Sequence, residues 1–201
     1  MNFIISFWGL LAERIDFWGV WREVVNSPVV DEVAWVVNQI NSAGYEVPLR
    51  AVAQALAYKT GVESRVLAQL FIERVKARIK PAQCLGEFYS WLRERGKIAV
   101  LSNTPCKCFI EDFLREYKIS VDLILTSDVL LKRKPLKQVF KYALSKLGAQ
   151  PQNTILFGDG VEDLGALGLG IFTITIGVEG GHLSFPSLCH AVKWLATEFK
   201  D

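Results

Sequence analysis

Two carboxylates, Asp159 and Asp163 in the stretch ILFGDGVEDLGAL, follow an apolar run that reads as a buried strand. Acids on a tight strand-to-helix turn converge on one point. A hard cation requires oxygen ligands, so this pair supplies half of a magnesium site. Ser102, in IAVLSNTP, ends another apolar run. A serine there presents its hydroxyl, and the next residue, Asn103, its amide N–H, which together form a clamp for a phosphoryl oxygen. Each feature has a plainer counterpart, since acids also occupy solvated loops and Ser-Asn opens many ordinary turns. The densest basic stretch, Lys132, Arg133, Lys134 and Lys137, reads by itself as a solvated charge run. His182 and His190 stand outside these stretches and read as loop or packing residues.

Cys84, Cys106, Cys108 and Cys189 are expected as buried or incidental thiols. Cys106 and Cys108 are the one close pair, and C-x-C lacks the C-x-x-C spacing of zinc or redox sites. No disulfide framework is expected.

The elements that must position these residues show two textures. From about Pro81 onward, apolar runs at 98–101, 123–125, 155–157 and 172–176 alternate with helical patterns, the mark of βαβ units and a parallel sheet. Residues 3–7 add a fifth candidate strand. LGEFYSWLRERG places Leu85, Phe88, Tyr89 and Leu92 on one helical face and stops at Gly96; PLKQVFKYALSKLG does the same with Val139, Phe140, Ala143, Leu144 and Leu147. Residues 12–80 instead read as helices. One begins at Ser27-Pro28 with Val29, Val33, Val36, Val37 and Ile40 along a face, a second begins at Pro48, and a third runs through Val66, Leu70, Phe71 and Val75. Either this block is inserted after a first strand that rejoins the sheet, or it is a separate N-terminal domain. The segment SLCHAVKWLATEF reads as one helix or as a short sixth strand followed by a helix.

Composition excludes several classes. With 51% hydrophobic and 22% charged residues, the 201-residue chain is globular, and no run approaches the roughly 20 apolar residues of a membrane span. A net charge of +2 without a basic block argues against nucleic acid and anionic membrane. No Lys or Arg precedes the first apolar run and no small-residue cleavage site follows it, so that run is expected to belong to the fold and the compartment to be the cytoplasm.

Strand-Ser102, then Lys134-Pro135, then strand-Gly158-Asp159 with Asp163, all within one βαβ series, resembles the haloacid dehalogenase superfamily of phosphatases and related hydrolases over the whole length. The resemblance implies a three-layer, Rossmann-like α/β core with a parallel five- or six-stranded sheet from residues 1–11 and 81–201, and an all-helical cap from residues 12–80. It implies that Ser102 and Asn103 hold phosphate, that Lys134 neutralises phosphate and nucleophile, and that Asp159 and Asp163 hold magnesium.

The family's first motif is D-x-D-G-T, or D-x-Y-G-T in dehalogenases. Aligned on Gly9 in IISFWGLLAE, Ser6 stands at the nucleophilic Asp, Trp8 at the acid/base position and Leu10 at the Thr. A serine hydroxyl with no base close in sequence is a poor nucleophile, although Lys134 could activate it. An indole ring exchanges no proton and offers a metal no oxygen. Magnesium binding is therefore expected to be weak or absent. The reading that follows is a member of the family that has lost phosphoaspartyl catalysis and serves binding or regulation. Its alternatives are a magnesium-dependent phosphatase with a non-standard nucleophile and a structural interaction protein. The partners these readings allow are a small phosphorylated ligand, a protein, or a second copy of the chain.

Overall fold

The computed structural model describes residues 1–199. The expected strands form as β1 (Asn2–Ile5), β2 (Lys97–Ser102), β3 (Leu123–Thr126), β4 (Thr154–Gly158) and β5 (Phe172–Ile176), and a sixth, β6 (Leu183–Phe185), joins them. All pair in parallel in the order β3-β2-β1-β4-β5-β6. Because β1 lies between β2 and β4, the first strand rejoins the later sheet, and the helical block is an insertion after it.

Strand periodicity sorts the core into two faces. Phe3, Ile5, Ile98, Val100, Ile155 and Phe157 enter one cluster. Helices α5 (Leu85–Arg95), α6 (Cys108–Glu116) and α9 (Leu188–Glu198) cover it. Ile4, Ala99, Leu101 and Leu156 face the opposite way, under α8 (Lys137–Leu147), and a single turn, α7 (Ser127–Leu130), follows β3. Strands buried on both sides explain why these runs are continuously apolar. The segment SLCHAVKWLATEF forms the single helix α9, with β6 upstream of it.

The insertion holds α1 (Phe17–Val25), α2 (Val29–Ser42), α3 (Leu49–Thr60) and α4 (Ser64–Lys76), packed around Val20, Trp21, Val33, Val52, Leu56 and Phe71. Trp21 stacks on Phe71 with ring centroids 4.3 Å apart. Two sequence expectations differ here. The stripe α4 buries is Leu67, Phe71 and Val75, so Val66 and Leu70 lie one position around the helix and are exposed. In α2, Val36 and Ile40 are 49% and 40% exposed, because Val29, Val30, Val33, Ala34 and Val37 complete the buried face without them.

Chain entry and exit run side by side. The Ala82 N–H donates to the Leu11 carbonyl (3.0 Å) and the Glu13 N–H to the Lys80 carbonyl (2.9 Å), around an antiparallel bridge of Ala12 to Pro81. Between cap and core, Tyr45 bridges Lys132, and Gly44 and Glu46 bond the backbones of Arg133 and Leu131.

The cysteines correct the sequence reading, for all four are paired: Cys84 with Cys189 and Cys106 with Cys108, at Cα separations of 5.4 and 5.2 Å. Cys84 precedes α5 and Cys189 sits in the first turn of α9, and these helices pack together, which a sequence separation of 105 conceals. The helix read in PLKQVFKYALSKLG starts two residues after Pro135, since α8 begins at Lys137 with Leu136 as its N-cap. Among the described residues, no helix is long and apolar enough to cross a membrane.

Candidate functional site

Strand order reverses direction between β1 and β4, and in open parallel sheets the crevice beyond the carboxyl ends of such strands is where ligands bind. Ser6 follows β1, Ser102 ends β2, and Gly158 ends β4 with Asp159 next. Lys134 arrives from the loop before α8.

At the bottom of the crevice Ser6, Lys134 and Asp163 form a closed group, each at most 5% exposed. Lys134 Nζ donates to Ser6 Oγ and to Asp163 Oδ1, both at 2.6 Å. The Ser6 hydroxyl lies 3.1 Å from both Asp163 oxygens. Asp163 Oδ2 also accepts the N–H groups of Asp159 and Gly160 at 3.1 Å. Gly158 is required here, since a Cβ would overlap the Asp163 carboxylate. The serine proton is directed at a carboxylate and its oxygen already accepts from lysine, so this hydroxyl is held in place rather than freed for attack.

Asp159 has a different partner. Arg14, beyond the first loop and in none of the motifs, places Nε 2.6 Å and Nη2 2.5 Å from Asp159 Oδ2, and Nη2 also donates to the Asp159 backbone carbonyl. Burial, then the Asp163 charge, pushes the Asp159 carboxyl up to about 6, against the pull of Arg14 and Lys134. Gly9 makes room: its φ is +79°, and a Cβ would collide with the Asp159 carboxylate.

Asn103 is placed differently from its sequence reading. Its side-chain Oδ1 accepts the Lys134 N–H (2.9 Å) and its Nδ2 donates to the Lys134 carbonyl (3.1 Å). The amide group thus clamps the backbone that presents Lys134. Trp8 packs edge-on against Phe7 and Phe17, at 4.7 and 5.3 Å, and touches both core and cap clusters. Its Nε1 is buried without a hydrogen-bond partner. Ser102 is buried, and its hydroxyl bonds no described residue. Ser6, Trp8, Arg14, Ser102, Asn103, Lys134 and Asp159 line one cavity of about 180 Å³.

The donor set does not fit magnesium. The Asp163 oxygens meet four donors, Asp159 and its carbonyl meet Arg14, and the first-motif ligand is a serine. Among the described residues, no three His, Cys, Asp or Glu side chains are grouped to hold a metal ion.

Arg14 carries no signal in the sequence beyond lying between Glu13 and Asp16, which read as surface or cap residues. His182 Nδ1 accepts the Thr173 N–H and His190 pairs with Ser187, away from the site.

No curated protein sequence matches the chain significantly. The solved structures similar to it include an L-2-haloacid dehalogenase from Xanthobacter autotrophicus (15% identity, 98% of each chain covered, TM-score 0.69). Another L-2-haloacid dehalogenase has 19% identity, covers 98% of this chain and 99% of its own, and has a TM-score of 0.70. CbbY from Rhodobacter sphaeroides, in complex with phosphate, has 16% identity, 92% and 93% coverage and a TM-score of 0.63. At these identities the likeness is one of fold. The family model described as haloacid dehalogenase-like hydrolase matches residues 8–168, most of the sequence, and the chain belongs to that family.

Proposed function

We propose that this protein binds a small phosphorylated molecule in the crevice and does not turn it over through an aspartyl ester. The observation that carries this reading is the cavity of about 180 Å³, lined by Ser6, Ser102, Asn103 and Lys134, where the Ser102 hydroxyl bonds no described residue and no carboxylate stands at the attacking position. A hydroxyl and an ammonium group at the wall of one cavity favour an acceptor-rich ligand, since charge-assisted hydrogen bonds are the strong ones. An adjoining cavity of about 290 Å³ shares Ile15, Phe17 and Asn103 with the first and leaves space for the rest of a metabolite. CbbY, with a phosphate in its structure, makes a phosphoryl group the natural anion to test.

Calorimetric titration with inorganic phosphate should show saturable binding that Ser102→Ala weakens. Magnesium-dependent hydrolysis of a generic phosphomonoester should be absent in the native chain and appear in Ser6→Asp/Trp8→Asp once Arg14→Ala is added to it. A second reading, hydrolysis with Ser6 as nucleophile, is favoured by the 2.6 Å contact between Lys134 and Ser6. Native hydrolysis abolished by Ser6→Ala would establish it and overturn the first.

A further inference from the structure

We propose that Arg14 is the resident counter-cation of this site: its guanidinium occupies the ground a divalent metal would need against Asp159, and removing it lets a cation reach the two Asp159 oxygens. This concerns the cation and not the ligand, so it stands whether or not phosphate binds.

The first observation is one of charge. Asp159 and Asp163 bring two negative charges into the crevice, and Lys134 and Arg14 bring two positive ones, each paired at 2.6 Å or less. Serine and tryptophan stand where the resemblance places two further acids. A cation bound at Asp159 would have to displace the Arg14 guanidinium or sit against its like charge, so metal and Arg14 compete for the same oxygens. The second observation is geometric. Arg14 covers both the Asp159 side-chain Oδ2 and the Asp159 backbone carbonyl, two hard oxygens of the kind magnesium or manganese takes. A planar guanidinium spans such a pair with fixed donors, whereas magnesium must first shed tightly held water.

The third observation is how Arg14 reaches the site. Its side chain is 61% exposed, so it comes from the rim and does not form part of the packed floor. Its neighbour Glu13 is fixed by the backbone bond to Lys80, which sets the direction of entry. Its hydrogen bonds and its ion pair all go to Asp159, so shortening the side chain leaves the two cores untouched.

The test is titration of the full chain with Mn²⁺, followed by electron paramagnetic resonance of the free ion and by calorimetry. The native protein should bind no Mn²⁺ saturably, or bind it at least about tenfold more weakly than Arg14→Ala, a gap of about 1.4 kcal/mol. Asp159→Asn added to Arg14→Ala should abolish the gained binding. Thermal unfolding of Arg14→Ala should rise on adding Mn²⁺ while the native protein's does not. Arg14→Gln, which keeps the stem length and loses the charge, should behave like Arg14→Ala and serves if the latter folds poorly. Native Mn²⁺ affinity equal to that of the variants, or folded variants that gain none, would overturn the proposal. Phosphate titration of the same samples separates this result from a failure of the ligand reading.

Discussion

At position 8 an indole stands where the family resemblance places an acid or a tyrosine, and its contacts show what the exchange does. Trp8 joins Phe7 below to Phe17 and Phe109 above, so the indole fastens cap to core. Gly9, next to it, is constrained by its own surroundings. A positive φ and the nearness of Asp159 both require the absence of a Cβ. Gly9→Ala should therefore destabilise the fold by about 1–3 kcal/mol, read as a lower urea midpoint with unchanged slope. An unchanged midpoint would show that the loop rearranges freely. Ser102, Asp159 and Asp163 stood out because each ends or follows a recognisable apolar run, whereas Lys134 stood out from its charge run only through the family resemblance. The side-chain role of Asn103 did not stand out, since its amide serves Lys134 across 31 residues. Arg14 was not legible for the same reason, as its partner lies 145 residues away.

Elements set how firmly the site is held. The loop carrying Lys134 is gripped from the core by Asn103 and from the cap by the pairing of residues 44–46 with 131–133. Glu46 anchors that pairing: its buried carboxylate accepts from Arg133 and from the Ser127 hydroxyl, and Ser127 also accepts the Thr104 N–H at 2.8 Å. A cap residue thus connects the loops after β2 and β3. Burial raises the Glu46 carboxyl above its ordinary 4.5, and the Arg133 and Ser127 contacts only partly offset it. The native state therefore holds this proton to higher pH than the unfolded chain does. Its contribution to stability is complete below about pH 4.5 and is lost as pH rises through the folded value. In Glu46→Gln that loss should disappear, so the difference in unfolding free energy between native protein and variant should shift in favour of the variant as pH rises above 4.5. Denaturant unfolding at a series of pH values measures it. A flat difference would show that Arg133 balances the burial fully.

For the molecule as a whole, alternation of apolar runs with helical periods was enough to place a parallel sheet with an inserted helical block, because every strand but the edge strands β3 and β6 is buried on both sides or nearly so. β6 has three half-buried residues at the sheet edge and left too little pattern to read. Cysteine pairing escaped for a related reason, since spacing in sequence says nothing about which helix ends meet in space. The two bridges differ in what they do to the chain. Cys106 and Cys108 close almost no loop, and their bond removes little freedom from the unfolded state. Cys84–Cys189 closes 105 residues, which the chain-entropy account values at about 4–5 kcal/mol, and it joins the starts of two helices on the same face of the sheet. Replacing both Cys84 and Cys189 by Ala should therefore lower the unfolding free energy by several kcal/mol, on the order of the 2–5 typical for a native bridge. The double replacement of Cys106 and Cys108 should lower it far less. Urea unfolding of both variants under non-reducing conditions compares them directly. Equal losses would mean that native-state contacts of the sulfur atoms, and not loop closure, set the worth of each bridge.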